Sequence, residues 1–212
     1  HHQIRWAEKA TIWRQQFAVI GSGVDLSQFK PAGKKFSTSL GKPIILMVAA
    51  STPAKRVEQG IGAVARLKTG SILLLGTGPL NERIDKLGYK LLGQKRFFHA
   101  TADHDRIPEY YRRANLFALC SESREAFGTV YLEAMATGLP IVATADASRR
   151  EILGNCAVFV KDVADATEYA GAITKALRLK SQLRKKTLAR AKKFTWAKIG
   201  DSYQKEFDQL FI

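Results

Sequence analysis

"PIILMVAASTPAKRVEQGIGAVARLKTGSILLLG", residues 43–76, is the stretch that decides the fold class. Its first eight residues are a continuous apolar run, the pattern of a strand buried on both faces rather than one that alternates between core and water. Residues 55–67 then carry a helical pattern, and "SILLLG" (71–76) is a second buried run. Strand, helix and strand in so short a span form a βαβ unit, which makes the two strands parallel.

The alternation continues in both directions. "FAVIGSGVD" (17–25) reads as a short strand ending in a glycine-rich turn. Downstream come a helix over 80–92, the strand "RFFHA" (96–100) and a short helix over 107–113. They are followed by the strand "LFALC" (116–120), a helix after Gly128, "PIVAT" (140–144) and "CAVFV" (156–160). Two or three helices close the chain, the last from about Trp196, and "KPAGKKFSTSLGK" (30–42) is the most linker-like segment. The expectation is an α/β protein, a doubly wound, Rossmann-like parallel sheet with helices on both faces. Ligands of such sheets bind in the loops at the carboxyl ends of the strands.

Composition narrows the function. The 212 residues, 46% hydrophobic and 25% charged, suit one or at most two globular units. No apolar run is long enough to span a bilayer. The two cysteines, Cys120 and Cys156, form no ligand cluster with the four histidines. That argues against structural zinc and a disulfide scaffold and points to a reducing compartment, hence a cytoplasmic protein. The opening His-His, in place of Met, reads as the edge of a piece cut from a longer chain.

The net charge of +15 is unevenly spread: nine Lys/Arg and no acid lie between Arg178 and Lys198. Leu179, Leu183, Thr187, Ala191 and Phe194 recur there at helical spacing, so this is a basic helix with a narrow packed stripe. It reads equally as a solvated outer face and as a surface for an anionic membrane or partner, which would make the protein peripheral at the inner membrane face. Nucleic acid is not expected, since aromatic interleaving and the helix-turn-helix and zinc-finger patterns are missing.

Three loops at strand ends carry the chemistry. In "LLLGTGPLNERIDKL", Gly76, Gly78 and Pro79 make a tight strand-to-helix turn, but the third glycine and the ribose-binding acid of a dinucleotide fingerprint are missing. In "VAASTPAKRVEQGI", Lys55 and Arg56 are expected in the first turn of a helix, where two cations are unfavourable unless an anion joins them. They read equally as a phosphate site and as two solvated charges. In "SESREAFGTVYLEAMATGLPIVAT" (121–144), Gly128 lets backbone approach a ligand, and the free amides of the following helix make an anion site. Glu125 and Glu133 flank that helix start, too far apart along the chain to share one proton-transfer centre. Two hydroxyl-binding carboxylates around a diphosphate suit a nucleotide sugar.

The last stretch resembles the glutamate, seven residues, glutamate signature of retaining glycosyltransferases of family four, which have the GT-B fold. "VIGSGVDLSQFKP" is similar to that family's interdomain segment, "LLLGTGP" to its Gly-x-Gly-Pro turn, and "REILG" to its Glu-Ile stretch. "FTWAKIGDSYQKEF" is similar to its C-terminal helix. The resemblance implies the C-terminal, donor-binding half of a two-domain enzyme. A lead-in occupies residues 1–16, a nucleotide-sugar-binding domain 17–194 and a C-terminal helix 195–212. The N-terminal acceptor domain lies outside the chain, so little transfer is expected from this piece alone.

The implied reaction moves a hexose from a nucleoside diphosphate sugar to a glycan or lipid-linked glycan, with no metal and no cofactor. Glu125 is the implied catalytic residue, in contact with the transferred sugar. Phe127, Gly128 and Thr129 offer backbone amides, Glu133 takes the ribose hydroxyls, and Lys55 takes the diphosphate. Gly78 and Arg56 complete the donor-binding set.

Two departures stand out. Ala50 occupies the place of an arginine that usually partners the lysine, and Arg56 the place of a glycine. Arg56 or Arg124 is the expected substitute cation. Ala147-Ser148 replaces a Gly-Gly pair, predicting a tighter loop beside the sugar. The rival readings are a homologue that binds nucleotide without turnover, a GT-B nucleotide-sugar epimerase, and an anion-binding surface protein.

Overall fold

The computed structural model describes residue 18, residues 20–122 and residues 128–210. Six parallel strands are formed: β1 (Ile44–Val48), β2 (Ser71–Leu75), β3 (Phe97–Ala100), β4 (Leu116–Leu119), β5 (Ile141–Thr144) and β6 (Ala157–Val160). They lie in the order β3-β2-β1-β4-β5-β6. Every neighbouring pair is parallel, with β1 in register with β2 from Ile44↔Ser71 to Val48↔Leu75. The apolar runs explain this placement. β1, β2 and β4 are buried almost throughout, as strands covered on both faces must be.

Among the described residues eight α-helices surround the sheet: α1 (Val57–Ala65), α2 (Asn81–Leu92), α3 (Ile107–Arg113), α4 (Thr129–Ala136), α5 (Ala147–Leu153), α6 (Ala166–Arg178), α7 (Lys180–Ala191) and α8 (Trp196–Leu210). α1 packs against α2 and α6, while α4 packs against α3 and α7. Each face of the sheet is thus covered by its own set of helices, and the strand order reverses between β1 and β4. That reversal point is where a doubly wound sheet opens a crevice at its carboxyl edge.

Three expectations need correction. Residues 17–25 were expected to form a strand. Among those described, Val24 alone makes a bridge, to Thr195. Its amide is satisfied by Phe194 O at 2.8 Å and Gly23 lies against the Trp196 ring, so this segment clasps the C-terminal helix instead of joining the sheet.

The linker-like segment is docked on the domain. Phe36 stacks on Tyr110 with ring centroids 4.1 Å apart, Leu40 is buried, and the Arg112 guanidinium donates to Lys34 O at 2.7 Å. Its Gly, Ser and Lys content suggested solvent, but two apolar side chains were enough to anchor it.

Lys55 and Arg56 precede helix α1 rather than forming its first turn. Pro53–Lys55 is a separate 3-10 turn, and Arg56 stands at the start of α1 in the left-handed conformation, φ 49°. The C-terminal expectation holds, with α6, α7 and α8 in the last 47 residues of the chain. No helix of the described residues is long and apolar enough to cross a membrane.

Candidate functional site

An open cleft of about 610 Å³ lies at the carboxyl ends of β1 and β2 and reaches the first turn of α4. Its floor is Val48, Ala49 and Ala50 from β1 with Gly76 and Thr77 from β2, and its walls are Lys55 on one side and Gly128 and Thr129 on the other. The cleft therefore sits where the strand order reverses.

Sterics keep the floor open. Gly76 has φ +145°, and a Cβ there would lie 1.9 Å from Ala49 O, so no other residue fits without moving β1. Gly78 lies against the Ser51 backbone, 2.7 Å from a notional Cβ to the carbonyl oxygen. It locks the two loops together, while Gly76 and Thr77 are the members of that turn that line the cleft.

The α4 wall is a helix terminus with no side-chain cap among the described residues. Gly128 holds φ 74° and offers no capping side chain, and the first turn contains no acid. The N–H groups and the positive end of the helix dipole therefore face outward for an incoming anion. Lys55 stands on the other wall, half-buried at the end of its 3-10 turn. Ala50, the missing cation's place, lines the floor between them.

Arg56 turns away from this floor toward Glu122, at 3.8 Å between the charged atoms. Glu122 also donates its amide to Ala54 O at 2.8 Å, tying the lysine-bearing turn to the segment after β4. Glu125, Phe127 and the Arg124 alternative lie outside the described residues.

Glu133 lies one turn into α4, on the same helix face as Thr129. Its carboxylate accepts a 2.7 Å hydrogen bond from the Tyr111 hydroxyl. Burial pushes the Glu133 carboxyl above the usual carboxylate range, against the opposing pull of the Tyr111 hydrogen bond and the His104 charge. His99 serves the frame: its ring contacts Asp85 at 2.7 Å and Gly76 O at 3.0 Å, fixing the turn beneath the cleft.

Arg149 is the residue that sequence reasoning missed. Only 3% exposed, its guanidinium bonds to Tyr131 Oη at 3.0 Å, Glu122 O at 2.9 Å, Ser121 Oγ and the Asp146 carboxylate. It thereby holds residues 121–122, where β4 hands over to the signature. The signal was Asp146 three residues ahead, the spacing of a helix cap, and it accepts from Arg149 N at 2.9 Å. That cap starts helix α5 at Ala147, where the sequence predicted a loop. Cys120 is no nucleophile, its thiol pushed up to about 12 by burial. Among the described residues no group of three or more His, Cys, Asp or Glu could hold a metal ion.

The profile of the family described as "Glycosyl transferases group 1" matches residues 29–194. The chain belongs to that family. The sulfoquinovosyl transferase SQD2 of Arabidopsis thaliana is 31% identical over 135 residues, 60% of this chain and 26% of the relative. A D-inositol 3-phosphate glycosyltransferase of Mycobacterium tuberculosis is 28% identical over an alignment of 212 residues, 87% of this chain and 42% of the relative. The chain thus spans less than half the length of these relatives.

Among solved structures, the sucrose-phosphate synthase of Thermosynechococcus elongatus superposes with a TM-score of 0.81 at 24% identity, covering 99% of this chain and 57% of that one. Anabaena HepE, solved in complex with UDP and glucose, gives 0.74 at 20% identity over 91% of this chain and 56% of that one. The fold of this group 1 glycosyl transferase chain is therefore that of one Rossmann-like half of a GT-B enzyme.

Proposed function

We propose that this chain is the donor-binding half of a retaining, family-four glycosyltransferase, and that its cleft holds a nucleoside diphosphate sugar. The observation that carries the reading is the uncapped, acid-free start of α4 facing Lys55 across the reversal point of the sheet. A diphosphate spanning the cleft meets helix amides on one side and an ammonium on the other. As the glycosidic bond breaks, negative charge grows on the departing diphosphate, and both groups stabilise it most at that moment.

Glu133 then takes the ribose hydroxyls one helical turn away. Glu125 and Phe127 would meet the transferred hexose, a role taken from the sequence signature. Gly78 acts through the shape of its turn, and Arg56 reaches the diphosphate only by leaving Glu122. The bound UDP and glucose of HepE support a sugar nucleotide as the ligand. The acceptor, a glycan or lipid-linked glycan, would be bound by an N-terminal domain outside this chain, so the isolated domain binds without transferring. No metal or other cofactor enters this scheme. The exposed cations Arg178, Lys180, Arg184, Lys185, Lys192 and Lys193 suit an anionic membrane surface.

A second reading, a homologue that binds nucleotide without turnover, draws on Ala50, which leaves one wall of the diphosphate site without its second cation. One panel tests the main reading: thermal shift and calorimetry with uridine, guanosine and adenosine diphosphates and their sugar conjugates, on wild type and Lys55→Ala. One base series should bind saturably, with affinity falling about tenfold or more in Lys55→Ala. No saturable binding by any of them would refute the donor site. An arm with anionic and neutral lipid vesicles tests the basic face, and equal binding to both removes the membrane.

A further inference from the structure

The phenol of Tyr111 is fully buried, and nothing in the proposed reaction uses it. It is wedged edge-on against Phe29 at 5.7 Å and stacked on Phe117 at 5.9 Å between ring centroids. The ring therefore cannot swing, and its hydroxyl is fixed at the first turns of α4. Two acceptors meet that hydroxyl: Glu133 Oε2 at 2.7 Å and Val130 O at 3.2 Å. One hydrogen serves both, and the shorter, charge-assisted contact to the carboxylate takes most of it. Among the described residues, Glu133 Oε1 accepts no hydrogen bond.

We propose that Tyr111 is the positioning residue of the ribose contact: it pins Glu133 Oε2 so that Oε1 faces the ligand's vicinal hydroxyls. The proposal rests on the nucleotide-sugar reading above. An ionised carboxylate accepts from a hydroxyl more strongly than the neutral acid does, and burial opposes ionisation here. The Tyr111 hydrogen bond is the largest of the opposing influences, with the His104 charge second. From the other side α7 places Arg184 over Gly138, at the far end of α4, and Thr187 bonds back to Arg184 O. The neighbouring Tyr131 hydroxyl is occupied by Leu119 O and Arg149. Tyr111 is thus the fixed donor that opposes the effect of burial on Glu133.

The test is the ratio of dissociation constants for a ribonucleoside diphosphate and its 2′,3′-dideoxy form, measured from pH 5.5 to 8. Protonation of the ligand's phosphate cancels in the ratio. In wild type the ribo form should bind about tenfold tighter at pH 8, the preference fading as Glu133 takes up a proton. Tyr111→Phe should cut the preference to about threefold or less and move its loss to higher pH. 3-Fluorotyrosine at position 111, a stronger donor of nearly the same shape, should keep the preference and move its loss to lower pH. A Tyr111→Phe profile that superimposes on wild type overturns the positioning role. If Tyr111→Phe does not fold, an unmoved 3-fluorotyrosine profile overturns it equally. Glu133→Gln separates the two levels: a low, flat ratio keeps Glu133 as the ribose contact, whereas an unchanged tenfold ratio removes that contact and the positioning role with it.

Discussion

Helices α4 and α5 both begin where a strand of the same half-sheet ends, yet their first turns are finished differently. At α5, Asp146 accepts from the Arg149 amide, and the buried Arg149 side chain returns to the same carboxylate. The terminus is closed by its own residues. At α4, Gly128 leaves the terminus without a side-chain cap, and the first turn carries no acid. A start with glycine at the cap position costs about a few tenths of a kcal/mol relative to a side-chain-capped one. α5 shows that this chain can build a capped start one strand away. The open start of α4 is what the proposed donor site calls for, a place for an outside anion, with α5 as the built-in control.

The comparison breaks most visibly at Arg149. Arg149→Met fills similar space but strands the Asp146 carboxylate, 14% exposed, and the polar atoms of residues 121–122. Breaking a buried ion pair from one side costs about 3–5 kcal/mol. For a chain of this length that lowers Tm by roughly 6–20 °C in a thermal melt. A loss under about 2 °C would mean that the closed start of α5 contributes little, and the contrast with α4 would lose its meaning.

Arg149 also shows what the sequence could and could not disclose. The buried strands were legible because continuous apolar runs such as "IILMV" fit a strand covered on both faces of an α/β sheet. The helix start after Gly128 was legible for a local reason too, small residues at a Gly turn. A buried arginine is a rare event, and "SRRE" resembles any solvated charge cluster. Its burial depends on Ser121, Glu122 and Tyr131, up to 28 residues away in sequence. The start of α1 misled in the opposite way. Lys55 and Arg56 were expected in a helix's first turn, but the 3-10 turn Pro53–Lys55 ends after three residues, because Arg56 takes a left-handed conformation that helical periodicity cannot foresee. The glycine-rich segment at 17–25 has the composition of a strand, and the competing partner that claimed it, the Phe194–Trp196 region, is about 170 residues distant.

Making α4 resemble α5 sharpens the comparison. Thr129→Glu places an acid at the first position of α4, where it complements the helix dipole by about 0.3–1 kcal/mol. Glu133, one turn on, takes back part of that by like-charge repulsion. The net expectation is a small rise in Tm of the free domain, about 1 °C, together with a tenfold or greater loss of nucleoside diphosphate affinity. The two signs are opposed because the new carboxylate occupies the place of the ligand's charge. Unchanged affinity would show that the terminus is merely unfinished rather than reserved.

The smallest effect concerns the cost of keeping a carboxylate inside the same helix. Glu133 has its carboxyl pushed up by burial, so folding disfavours its ionised form. The linkage has a definite sign: the neutral form's advantage is fully present below the unfolded carboxylate range and is lost as pH rises through the higher folded value. Glu133→Gln keeps an acceptor for the Tyr111 hydroxyl and never ionises. Its Tm should therefore match wild type near pH 4 and exceed it by about 1 °C at pH 8, the gap opening as wild-type Glu133 loses its proton. A gap of opposite sign would mean that Tyr111 and His104 outweigh burial, and that the carboxylate stabilises the fold. A gap of the expected sign, combined with weaker nucleotide binding, would give α4 a second feature that costs stability and that a ligand repays.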